Sequence, residues 1–296
     1  MRGKCRERRA ARERKMKMKN EHQVFKNEHH HIFCLYYPPT DKAKELYDGF
    51  KKQGQDVILL NAGSLRESTD PWVKDNVIQE SELEFNIAHK NPSFCELTAF
   101  YAVWKNYTPK WNDDDWIEFS HYRKTLNLPF DYQDKEDVVY VSLPYPMRFN
   151  INHVITPCSI QSGTIVCHPK PSWEAMEQVV KDLGGWRECS EFDEWKNLSS
   201  MPAPINIWCM KVRTFRKYCE WLFERVCAID SMIPYDNEEY RTAYQRRALS
   251  FIGERLFSFW AWSREWRGDI EAVPVKWTLH EGLKPISDSE ERNIRL

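Results

Sequence analysis

NPSFCELTAFYAVWKNYTPKWNDDDWIEFSHYRK, residues 91–124, decides the fold. Leu97, Phe100, Tyr101 and Trp104 recur at helical spacing and make an apolar stripe. Ser93 and Glu96 stand in the S-x-x-E spacing of a capping box just ahead of it, so a helix is predicted to start there. A short acidic turn, Asp113-Asp114-Asp115, leads into residues 116–120, which read as a buried strand. That strand ends abruptly in His121, Tyr122, Arg123 and Lys124. In an open α/β sheet, ligands lie beyond the carboxyl ends of the strands. A cluster of cationic and hydrogen-bonding side chains at such an end points to an anionic ligand.

The flanking sequence extends this pattern. Residues 32–37 (IFCLYY) read as a continuous apolar strand closed by Pro38-Pro39, 41–53 as a helix with Gly54 beyond it, and 56–61 as a second buried strand. This is a β-α-β opening. Residues 64–90 are polar and aperiodic, long for a connection inside a compact domain. Further strands are expected at 137–142, 205–212 and 270–277, and helices at 172–183, 214–229 and 240–262, with a proline-punctuated stretch at 143–171. The alternation predicts an α/β class: one domain over residues 32–280, with a mostly parallel central sheet flanked by helices. A disordered basic arm, 1–31, precedes it and a flexible tail, 281–296, follows.

Composition narrows the function classes. Apolar residues make up 42% of the 296, and thirteen tryptophans add large area to bury, so a sizeable core is expected. A formal net charge of −1 argues against a polyanion binder overall. The first 19 residues nevertheless hold ten Lys/Arg against Glu7 and Glu13. That arm reads either as a solvated tail or as an electrostatic contact to an anionic membrane face or to nucleic acid. It lacks the apolar run of a secretory signal, and no stretch approaches the roughly 20 apolar residues of a membrane span. Nine scattered cysteines with no Cys-x-x-Cys suit reduced thiols in a cytoplasmic protein. Neither Cys158, Cys167 and His168 nor His29-His30-His31 with Cys34 has convincing zinc spacing.

Three blocks carry a family resemblance: KNPSFCELTAFYAVWKN running into WIEFSHYRK, INIWCMKVRTFRKYCEWLF, and YQRRALSFIGERLFSFW. Together they resemble the glycosyltransferase-like domains of bacterial capsular and exopolysaccharide loci, a family catalogued as a domain of unknown function. The resemblance implies a GT-A-like, Rossmann-like fold. It implies transfer of a sugar from a nucleotide-sugar donor to a glycan, lipid-linked or other hydroxyl acceptor. Two departures stand out: the segment before the first block, DNVIQESELEFNIAHKN, lacks the family's glycine, and Ser120 replaces a cysteine before the HYR triplet.

Such transfer requires charge neutralisation on the leaving diphosphate and, in an inverting enzyme, a base for the acceptor hydroxyl. GT-A enzymes usually hold a divalent metal, Mn or Mg, with Asp-x-Asp at a strand's carboxyl end. Asp113-Asp114-Asp115 precedes its strand, so it is read as a solvated turn and no cofactor is expected to be required, with a divalent metal, Mn or Mg, as the alternative. Arg123 and Lys124 would take the metal's place, with a structural carboxylate pair as the alternative for Arg123. His121 and Glu254 are the base candidates, Glu254 sharing a polar helix face with Arg247, Ser250 and Ser258. Arg255 falls on an apolar stripe and therefore needs a partner, either diphosphate or a core carboxylate. Tyr36, Asn91, Tyr122 and Asn206 complete the expected donor site. Two rival readings remain open: a catalytically silent carbohydrate- or nucleotide-binding module, and a sugar transferase acting on nucleic acid.

Overall fold

The computed structural model describes residues 29–36, 40–63, 70–129, 132, 137–151 and 154–280. The sequence assignments for 1–28 and 281–296 lie outside the described residues. Thirteen strands are described: β1 His30–Leu35, β2 Val57–Asn61, β3 Val77–Gln79, β4 Trp116–Ser120, β5 Lys124–Leu126, β6 Val138–Ser142, β7 Tyr145–Pro146, β8 Arg148–Ile151, β9 Val154–Pro157, β10 Ser200–Met201, β11 Trp208–Lys211, β12 Glu271–Val275 and β13 Trp277–Leu279. Seven of them form one sheet in the order β12-β6-β11-β4-β1-β2-β3. Neighbours pair in parallel except around β11, which runs antiparallel to both β4 and β6. Six strands therefore share one direction. Their carboxyl ends, at Leu35, Asn61, Gln79, Ser120, Ser142 and Val275, share one edge with the start of β11.

Burial on both faces explains why the central strands read as apolar runs. One face carries Phe33, Ile117, Phe119, Val139, Trp208 and Met210, packed under the Glu96–Asn106, Val212–Met232 and Ala248–Arg267 helices. Phe100 and Phe119 meet edge to face at 4.4 Å, and Phe100 meets Trp208 at 5.3 Å. Such aromatic pairs add roughly 0.5–1.5 kcal/mol each beyond area burial. The other face is covered by the Thr40–Lys52 helix over Ile32, Cys34 and Leu59. It is also covered by Leu126 and Trp277, from the paired β5 and β13, over Trp116 and Cys209. Among the described residues no helix is long and apolar enough to cross a membrane.

Several expectations need correcting. β1 begins at His30 and ends at Leu35, shifted from 32–37, because polar pairs extend it: His29 and His31 both bond Asp115. The 64–90 connection contains the Pro71–Asn76 helix and β3, a strand of three residues, too short to show a period. The capping box does not form. Ser93 Oγ meets Tyr235 Oη, and Cys95 at φ 45° splits the segment into Asn91–Phe94 and Glu96–Asn106. Glu96 thus becomes the first residue of its helix. The 240–262 helix is also divided, into Ala243–Arg246 and Ala248–Arg267, and Gly268 at φ 76° ends it.

Candidate functional site

The HYRK cluster is a tight reversal. The His121 N–H donates to Lys124 O (2.9 Å) and the Lys124 N–H donates to His121 O (2.8 Å), turning β4 into β5 at the carboxyl edge of the sheet. The turn also orders the His121 ring. The Arg123 N–H donates to His121 Nδ1 at 3.3 Å, so in the neutral imidazole the proton sits on Nε2. Burial pulls His121 down to about 3, helped by the charges of Arg123, Lys124 and Arg247. At neutral pH His121 is therefore an uncharged Nε2–H donor, not a base already holding a proton to exchange.

The start of the Ala248–Arg267 helix faces this turn. Burial raises the Glu254 carboxyl to about 7. Glu96 also pushes it up, while Arg255, Lys124 and Arg247 pull the other way. The same lysine and Arg247 act on both His121 and Glu254, so turn and helix share one electrostatic neighbourhood. Burial likewise lowers Lys124, opposed by Glu254 and assisted by Arg123. A carboxyl poised near neutrality beside fixed cations is the arrangement expected of a general base.

Three of the cations at this edge also lie against aromatic rings. Arg123 lies over the Tyr122 ring (5.4 Å), Lys124 over Trp277 (5.1 Å), and Arg247 over Phe251 (5.4 Å) while Arg247 Nε donates to Cys95 Sγ (3.2 Å). Arg255 differs: it bonds Glu254 Oε2 (3.0 Å), Phe251 O (3.2 Å) and Thr164 Oγ1 (3.4 Å). Unsatisfied polar atoms occur here too. Arg123 Nε, Asn206 Oδ1 and His168 Nδ1 are among the nine buried side-chain atoms of the described residues that lack a hydrogen-bond partner. Burial holds His168 down at about 2, reinforced by Arg255 and Arg247, which places it beside the same guanidinium groups. Buried donors and acceptors are normally paired, so each of these three is a group that a polar ligand would complete.

Glu96 ties the site to the fold. Its Oε1 accepts from Asn206 Nδ2 (2.8 Å) and its Oε2 from Ser250 Oγ (2.9 Å), joining the head of the Glu96–Asn106 helix to the segment before β11 and to the Ala248–Arg267 helix. Cys95, immediately before it, has φ 45° and ψ −120°, a backbone conformation that a side chain makes costly and that tends to occur at functional sites.

Thus the structure brings His121, Tyr122, Arg123, Lys124, Glu254 and Arg255 together, with Asn206 joined through Glu96. Two expected donor residues have packing and backbone contacts of their own. Tyr36 is 6% exposed and packs with Ile32 and Cys34 under the Thr40–Lys52 helix. Asn91 lies against Gly63, and its Nδ2 donates to Cys95 O (3.0 Å) and Thr98 Oγ1 (3.2 Å). Asp113 and Asp114 bind Arg216 and Arg213, and Asp115 binds His29 and His31, all at the opposite edge. The acidic run is therefore an ion-pair cluster, more than a solvated turn. Among the described residues no group of three His, Cys, Asp or Glu side chains could hold a metal ion. Sequence reasoning assigned no site role to Arg247 or His168. The signal for Arg247 was its seven-residue spacing from Glu254; His168 carries none.

Comparisons with known proteins agree with this frame. The chain is similar to the apo structure of WbbM, a bifunctional glycosyltransferase, with a TM-score of 0.62 and 18% identity over 87% of this chain. It spans about half, 47%, of that protein's chain. The shared fold is glycosyltransferase-like. No curated protein matches. The model of the family described as "Domain of unknown function (DUF4422)" matches residues 50–265, and the chain belongs to that family.

Proposed function

We propose that the chain transfers a sugar from a nucleoside-diphosphate sugar to a hydroxyl acceptor on a glycan or lipid-linked glycan. One observation carries this reading. Arg123, with its buried Nε unpartnered, lies within the same field of charge as Lys124, Arg247 and a carboxyl raised to about 7. Arg123, Lys124 and Arg247 hold the diphosphate, the first and last through planar forks that suit phosphate oxygens. His121 donates its Nε2–H to a donor oxygen. Asn206 Oδ1 accepts from a sugar hydroxyl.

In the transfer step the acceptor oxygen bonds to the anomeric carbon as the carbon–oxygen bond to diphosphate breaks. The electron pair of that bond leaves with the diphosphate, where the cations stabilise it. The acceptor's proton passes to Glu254 Oε. No divalent metal is required on this reading, because fixed cations stand at the strand end where a metal motif would otherwise be expected.

Thermal-shift titration against a panel of nucleotide sugars, in chelator and with added Mn or Mg, tests the reading. Stabilisation by at least one donor in chelator, followed by sugar transfer or donor hydrolysis, is expected. Stabilisation that depends on metal, or by no donor at all, would contradict it. Binding without turnover would instead favour a silent binding module.

A further inference from the structure

Glu96 is better placed than a structural linker needs to be. It opens an 11-residue helix, where a negative charge is favourable, and both of its oxygens are held. Ser250, which holds Oε2, lies one helical turn before Glu254 on the same helix face. The anchor therefore fixes the turn that carries the base. Arg247 and Tyr218 also lie within the field of Glu96, Tyr218 with its buried Oη unpartnered.

We propose that Glu96 is the positioning residue of the proton-accepting site: through Ser250 and Asn206 it holds the first turns of the Ala248–Arg267 helix in place and sets its own carboxyl group beside Glu254. This rests on the reading of Glu254 as base. The charged groups that face Glu254 are Lys124 from the turn, Arg247 and Arg255 from its own helix, and Glu96 from the Glu96–Asn106 helix. Burial is the main reason Glu254 is raised, and three of these groups are cations that pull it back down. Glu96 is the one anion among them. It offsets the cations that the diphosphate needs, so that one site can bind a polyanion and still hold a base matched to neutral pH.

Carbon-13 NMR of the glutamate δ-carbons in the full chain tests this without any acceptor, with Glu254→Gln identifying the Glu254 resonance. In Glu96→Gln, which keeps an oxygen for Asn206 and a polar group for Ser250, the Glu254 midpoint falls by roughly one pH unit. Glu96→Asp restores it. If the enzyme is active, the acid limb of kcat/KM moves with the same midpoints. An unmoved Glu254 midpoint in folded Glu96→Gln would overturn the proposal. The outcome is separate from the function itself: loss of transfer in every protein would remove Glu254 as base but leave the titration readable.

Discussion

At the scale of single residues, the division of labour between His121 and Glu254 follows from what each already bonds. His121 Nδ1 is occupied by the Arg123 N–H, and burial keeps the ring neutral, so it can only donate. Glu254 is the group with a proton affinity near neutrality. Glu254→Gln is expected to lower transfer by roughly 10²–10⁴-fold with little change in donor binding. Comparison of kcat with donor affinity checks this, and loss of binding in place of turnover would refute it. The wild-type rate should rise with pH up to about 7, since the base must be deprotonated to act. Arg247→Ala should weaken donor binding by about 10-fold or more, the typical effect of losing a hydrogen bond to a charged group. Calorimetry with a nucleoside diphosphate measures it. HYRK was legible as a candidate site because its charges stand at a strand end. Arg247 showed only as a neighbour of Glu254 on a polar helix face, and its place at the break between two helices was not visible. Glu96 was masked by a capping spacing that Cys95's backbone overrides.

At the scale of elements, the site depends on close packing between two helices. Gly253 lies against Leu97, and a Cβ there would stand 2.7 Å from Leu97 Cδ1 and 2.9 Å from Cδ2. Leu97 is wholly buried and cannot move aside cheaply. Gly253→Ala is therefore expected to destabilise the protein by roughly 1–3 kcal/mol and to push Glu254 away from the turn. Chemical denaturation together with transfer kinetics checks both, and an unchanged midpoint would refute the packing argument. The long apolar elements were legible: β4, β6, the helix over 212–232 and the first βαβ unit all lie close to their expected places. Short elements were not. β3 has three residues, and the reversed direction of β11 is set by where the chain returns, which no local pattern encodes.

At the scale of the whole molecule, one sheet separates two kinds of charged edge. The amino-terminal edge ties Asp113 and Asp114 into ion pairs and Asp115 into hydrogen bonds with His29 and His31, while the carboxyl edge gathers cations around Glu254 and against aromatic rings. Between them Glu118 is buried in the middle of β4, its carboxyl raised to about 7 by burial despite a bond from Ser120 Oγ (2.7 Å). A carboxyl raised in the fold favours folding below its unfolded value, near 4.5, and that stability is lost as pH rises toward 7. Glu118→Gln should thus gain on the wild type by up to about 3 kcal/mol between pH 5 and 8. Parallel stability curves for the two proteins would contradict this. The fold class was legible from alternation alone, and family membership rests on the matched residues 50–265. The central claim is that side-chain cations at the end of β4 neutralise the diphosphate without a metal. Calorimetric titration of wild type and Arg123→Ala with nucleoside diphosphates in chelator tests it most directly: the account predicts binding by the wild type that Arg123→Ala loses, whereas binding that needs added metal and is indifferent to Arg123 would contradict it.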